Sequence, residues 1–199
     1  MAIRCKRLGY STLKDLAHEF LRVHHPSGEP PTPIEEIVDL QLGIDIVPVR
    51  ELQKRFGIEG ALGADFSTIY VDEWVQEART NRYHFTLAHE LAHRELHRPL
   101  LEQIDLSTME RWIQMTDEID DETYRWMEWQ AYSWAGIVLV PEAALATKFK
   151  AELERAKAAG FYVHGNPDLA KEYISEALAK PFAVSPDVIY RRIGYDNLL

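Results

Sequence analysis

Five residues, His89-Glu90-Leu91-Ala92-His93, place two imidazoles and a carboxylate at a spacing that a helix turns into one site. Residues four apart in a helix sit about 40° apart around the axis and one turn apart along it. Both histidines can then reach a single metal ion. Glu90 stands beside the ion's open position, where it can take a proton from water. This is the working core of a zinc peptidase. The flanks support the helix: residues 82–98 contain neither Gly nor Pro, and Phe85, Ala88, Leu91, Ala92 and Leu96 form one apolar stripe. Thr80 or Asn81 is the expected cap and Pro99 the expected stop. The competing reading is an amphipathic helix with two surface histidines.

A catalytic zinc takes three protein ligands and keeps one position for water. His97 lies about 12 Å beyond His89 along a continuous helix, too far to share an ion. HExxH variants with a nearby third histidine need a chain reversal, usually at Gly, and residues 94–96 hold none. His97 and His84 are therefore read as surface residues or as supports behind a ligand. Glu128 is the better third ligand. Ala131, Tyr132, Ala135, Val138 and Leu139 follow it at helical spacing, so it lies on a core-facing stripe where a carboxylate needs a partner. Pairing with an arginine, or capping a neighbouring element, are the other readings of Glu128. Asp117, Glu118, Asp120, Asp121 and Glu122 are rival ligands, although their clustering suits a solvated acidic turn.

Three stretches resemble one known family, the ImmA/IrrE-type metallopeptidases, formerly a domain of unknown function. Arg82 to His93 is similar to that family's R..FTLAHELGH, with Ala92 where Gly is common. Glu128 to Pro141 is similar to its E.QAN.FAA.LLMP, with Tyr132 where Asn is usual. Phe182 to Ile193 resembles its closing F.VS..A...RL, and Pro33 to Val49 suits its start. The stretch between His93 and Glu128 is longer than usual, which suggests an insertion around 98–122. The resemblance implies an α+β fold: a mostly helical, zincin-like metallopeptidase with a small antiparallel or mixed sheet before the HExxH helix. It implies His89, His93 and Glu128 as metal ligands and Glu90 as catalyst. It also implies a helix-turn-helix repressor as the protein substrate, in a setting of transcription regulation or mobile elements.

Composition narrows the function classes. A chain of 199 residues with 46% apolar content can bury a real core. One domain is expected, with residues 1–140 as catalytic core and 141–199 as a helical extension packed on it. The single Cys5 and a start without an apolar stretch suit the cytoplasm. No run is long enough to span a bilayer. A formal net charge of −10 argues against direct nucleic-acid binding and is compatible with a basic protein partner.

Along the chain, Leu13–Val23 reads as an amphipathic helix and His24 to Pro33 as a loop. Ile34–Leu42 reads as a helix stopped by Gly43, followed by a short edge strand around Ile44–Val49 with Pro48. Leu52–Phe56 is ambiguous. Ala64–Phe66 and Thr68–Val71 are expected to form a hairpin around Ser67, with Ile69–Val71 as the edge that pairs with substrate. Asp72–Arg79 reads as a short helix. The acidic segment 98–122 allows a helix started by Ser107 or Thr108, as a lid or a solvated face. Helices are expected over Glu142–Ala159, from Asn166 to about Ala179, and after Ser185 as cap. The last two resemble a helix-turn-helix. Lys171, Lys180, Arg191 and Arg192 are balanced there by Glu172, Glu176, Asp187 and Asp196, so packing is the expected role.

The chemistry expected of zinc on His89, His93 and Glu128 is attack of activated water on a peptide carbonyl, with Glu90 carrying the proton to the leaving amine. An extra oxyanion donor is expected from Tyr70, Tyr83 or Tyr132. A two-His, one-carboxylate set also suits Mn(II) or Fe(II). The alternatives are a metal-containing regulator that binds a partner without cutting it, and a toxin-like protease restrained by an antitoxin.

Overall fold

The computed structural model describes residues 5–104, 106, 108, 111, 114, 119–160 and 166–199. The described chain is mostly helical with one small mixed sheet, an α+β fold. Helix α1 (Tyr10–His24) is followed by a short α2 (Ile34–Glu36) that runs on as a π-helical turn, Ile37–Gln41. Strand β1 (Asp45–Val49), helix α3 (Leu52–Phe56), and strands β2 (Gly60–Leu62) and β3 (Thr68–Asp72) come next. Helix α4 (Glu73–Ala78) leads into the long α5 (Thr80–Leu101). Beyond the acidic segment lie α6 (Asp121–Leu139), α7 (Glu142–Ala158), α8 (Pro167–Phe182) and α9 (Pro186–Tyr195). Among the described residues no helix is long and apolar enough to cross a membrane.

The sheet corrects one expectation. Its order is β1-β3-β2, so Ile69–Val71 is central, with β1 parallel on one side and β2 antiparallel on the other. The edges are β2 and β1, and Pro48 sits on β1 as an edge proline should. The hairpin exists, but its first strand is Gly60–Leu62 rather than Ala64–Phe66. Those three short residues are all buried, because β2 lies against α5.

The starts and stops of the helices also differ from expectation. Neither Thr80 nor Asn81 caps α5, which begins at Thr80 behind Arg79 without a side-chain cap. Asp72, by contrast, caps α4 by accepting from Trp74 N and Val75 N, and it also accepts from Gln53 N, tying α3 to the same point. Pro99 does not stop α5, which runs two residues further. Helix α8 likewise passes Ala179 and ends at Phe182, with the Asn166 side chain as its cap. Ser185 precedes α9 in an extended conformation but makes no side-chain capping bond.

The core centres on α5 and α6, which share the most extensive helix–helix contact. Ala88 and Ala92 on α5, and Ala131 and Ala135 on α6, are fully buried. Small side chains on both helices let the backbones approach closely. Helix α1 covers α6 from another side, with Phe20 set edge-on against the buried Trp134 at 5.0 Å. Helices α8 and α9 pack on each other, and α9 reaches α6 through Arg192. That guanidinium, 2% exposed, donates to Gly136 O at 2.9 Å and to Val140 O, two carbonyls at the end of α6. Its other nitrogens bind Asp196, which also accepts from Tyr10 of α1.

Candidate metal centre

An uninterrupted α5 carries His89 and His93 on one face, and α6 brings Glu128 to meet them. His89 Nε2 lies 3.0 Å from His93 Nε2 and 3.3 Å from Glu128 Oε2, and His93 Nε2 lies 3.4 Å from Glu128 Oε1. A tetrahedral ion with bonds of about 2.0–2.1 Å spaces its ligand atoms about 3.3 Å apart. The triangle therefore has the size that such an ion requires. Among the described residues, this is the cluster of three His, Cys, Asp or Glu side chains that could hold a metal.

Glu90 sits beside the triangle at 4% exposure. The Leu62 backbone of β2 donates a hydrogen bond to its carboxylate. Oε2, however, is buried with no partner among the described residues. Gly60 explains how β2 comes so near: a Cβ there would lie 2.4 Å from Thr86 Cγ2 and 3.2 Å from Glu90 Cγ. No larger residue fits without displacing the Thr86 and Glu90 side chains.

The charges in the cluster are coupled. Burial pushes the Glu90 carboxyl upward, against the lowering pull of His89 and His93. Burial would also raise Glu128, but hydrogen bonds and charge from His89 and His93 outweigh it and hold that carboxyl well below the usual range. Burial opposes a charged His93, yet Glu128 and then Glu90 raise its pKa above the ordinary imidazole value. His97 is driven the other way, to about 2, by burial and then by the charge on His93. In the metal-free protein the His93 proton thus supplies part of the positive charge that two neighbouring carboxylates demand.

His89, Glu90 and Glu128 line a cleft of about 350 Å³ that also includes Gln53, Arg82, Phe85, Tyr124 and Tyr132. Tyr124, Glu128 and Tyr132 are spaced by four, one column on α6 facing the cleft. Of the three tyrosines expected as oxyanion donors, none has a free hydroxyl at the site. Tyr83 donates to Glu35, Tyr132 donates to Asp187 at 2.7 Å, and Tyr70 lies on β3 outside the cleft lining. Tyr124 was missed by sequence reasoning. Its half-buried ring lines the cleft, its hydroxyl has no hydrogen-bond partner among the described residues, and Glu128 and Glu90 both act on it electrostatically. Its position one turn before Glu128 was the signal that could have found it.

The other candidates fall elsewhere. His97 is not a surface residue: it is 2% exposed, one turn behind His93. His84 is half-buried against Tyr83 and is not among the cleft residues. Asp120 caps α6, and Glu122 pairs with Arg7 at 2.6 Å, so neither joins the triangle. Asp117 and Glu118 lie outside the described residues, as does much of the helix expected from Ser107 or Thr108; of that segment Arg111 and Gln114 are helical, and Thr108 Oγ1 accepts from Arg111 N at 3.2 Å.

A search of curated proteins finds no match. A family model, Peptidase_M78, described as the IrrE N-terminal-like domain, matches residues 66–193. The match begins before β3, runs through the HExxH helix and Glu128, and ends within α9. The site's geometry and this match agree, and the chain belongs to the Peptidase_M78 family, the ImmA/IrrE-type metallopeptidases.

Proposed function

We propose that the protein is a zinc-dependent metallo-endopeptidase, with His89, His93 and Glu128 holding the ion and Glu90 as general base. One observation carries the reading: three donor atoms 3.0–3.4 Å apart beside a buried carboxylate whose Oε2 has no partner among the described residues. When bound, zinc supplies Lewis acidity, making water more acidic and polarising a carbonyl. Glu90 accepts the proton of the water that attacks the peptide carbonyl carbon. As the C–N bond breaks, it delivers that proton to the leaving amine. Its raised pKa suits both halves of the task. Tyr124 donates its hydroxyl hydrogen to the developing oxyanion, a role for which it is better placed than Tyr70, Tyr83 or Tyr132.

A basic helix-turn-helix repressor is the proposed substrate. Family membership and the net charge of −10 support this choice. A single cysteine and the lack of a spanning helix among the described residues are compatible with action in the cytoplasm.

Elemental analysis of protein purified without chelator tests the site. About one zinc per chain in wild type, lost in His93→Ala and in Glu128→Ala, is the expected result. Metal retained by Glu128→Ala would remove Glu128 from the ligand set. Incubation with a purified basic repressor of the helix-turn-helix type from the same organism tests the activity. Wild type should cut it, while Glu90→Gln, with zinc still bound, should be slower by about 10²- to 10⁴-fold. Equal cleavage by the two proteins would sink the mechanism.

A further inference from the structure

We propose that His97 is a positioning residue for the metal centre: its Nδ1 accepts a hydrogen bond from His93 Nδ1–H and so holds His93 in the ligand-competent tautomer. The proposal rests on the reading of His93 as a ligand. The two Nδ1 atoms are 3.1 Å apart, with ring centroids 5.1 Å apart, and both residues are buried.

The direction of the hydrogen bond follows from the other end of the His93 ring. Its Nε2 faces His89 and Glu128 and must be a bare lone pair to bind an ion. The neutral ring then carries its hydrogen on Nδ1, and His97 Nδ1 must be the acceptor. In the opposite arrangement His97 would donate, and His93 would point an N–H at the metal face. With the Nε2 lone pair on the ion, His93 offers only Nδ1–H at this contact, and His97 meets it as the Nε2–H tautomer with Nδ1 as acceptor.

The rest of His97 supports this role over a packing one. Its Nε2 is buried with no partner among the described residues. A leucine would fill the space without leaving a polar atom unpaired, so packing does not account for an imidazole here. The Nδ1 contact to His93 does. His89 differs in needing no such support from the interior, since its side chain is 18% exposed and lines the open cleft.

Zinc affinity, measured by competition with a chromophoric chelator, tests the proposal without reference to cleavage. His97→Leu should bind zinc about 10- to 100-fold more weakly than wild type. His97→Asn places an amide oxygen near the Nδ1 position and should recover most of that loss. The absorption bands of the cobalt-substituted protein should shift in His97→Leu and return toward wild type in His97→Asn. Should His97→Leu fail to fold, His97→Met fills the same space and takes its place. Wild-type affinity in the apolar variant, or equal losses in the apolar and Asn variants, would overturn the role. His93→Ala separates the two layers: if it loses zinc while His97→Leu does not, only this proposal falls. If His93→Ala binds like wild type, or wild type binds no zinc, the ligand assignment falls too.

Discussion

Helix α6 meets buried charge at two places, and the two are built differently. At its C-terminal end Arg192 is enclosed among acceptors: Gly136 O, Val140 O and the Asp196 carboxylate, itself held by Tyr10 and by Lys14 at 3.4 Å. Around Glu128 the polar groups also crowd together, yet Glu90 Oε2 and His97 Nε2 are buried without partners among the described residues. Buried polar atoms are nearly always satisfied, because leaving one unpaired costs stability. A complete network is what a scaffold needs. An incomplete one, where donor atoms converge on a common point, is what a ligand completes. Burial and charge alone do not separate the two regions; the hydrogen-bond inventory does.

The contrast is sharpest when each region is cut. Arg192→Met should cost about 3–5 kcal/mol, because it strips buried Asp196 of its closest cation, leaving it only Tyr10 and Lys14, and frees two carbonyls. Urea denaturation measures the loss, and zinc stoichiometry of the folded fraction should stay at the wild-type value. A loss below about 1 kcal/mol would show that the C-terminal network is not the scaffold described here. Tyr124→Phe should do the reverse. Stability and zinc content should hold, while kcat falls about 10²-fold with KM little changed, as for removal of one oxyanion donor. An unchanged kcat would exclude the hydroxyl from the reaction.

The smallest expected effect is in pH dependence. The raised His93 pKa gives metal-free protein stability that is complete below the ordinary imidazole value of 6.5 and lost as pH rises through the folded value. The depressed Glu128 pKa gives stability that is present above the ordinary 4.5 and lost as pH falls through the folded value. Their overlap lies between pH 4.5 and 6.5. Melting of chelated wild type and Glu128→Gln should therefore differ most within that window. Zinc should shift the wild-type optimum upward, since His89 and His93 must be unprotonated to bind it. A constant gap across pH would mean the His93–Glu128 pair does not form in the metal-free protein.

How much of this could be read from the sequence depended on the range of the interaction. The long helix and the stripe that carries Glu128 show as local periodicity, and the structure brings His89, His93 and Glu128 together. The position of β3 did not show. Asp45–Val49 pairs with Thr68–Asp72 across the intervening α3 and β2, and nothing in the alternation of Thr68–Val71 distinguishes a central strand from an edge. The reason for glycine at position 60 lies on another element, at Thr86 and Glu90, so no local pattern shows it. Pro99 read as a stop, yet α5 continues past it by one half-turn, so the proline takes one N–H from the last turn without ending the helix there. His97 read as a surface or supporting residue because an i+4 position shows which turn a side chain is on but not what encloses it.

The bare backbone at Gly60 has a mechanical meaning. With no side chain between them, the outermost strand rests directly on Thr86 and on the carboxylate that would carry the proton, while the neighbouring Leu62 amide grips the same carboxylate. Sheet and helix thus have no compliant layer separating them at this point. A segment that bends or straightens β2 would move Glu90 with it, and the strand's shape becomes a setting for the distance over which a proton is handed across.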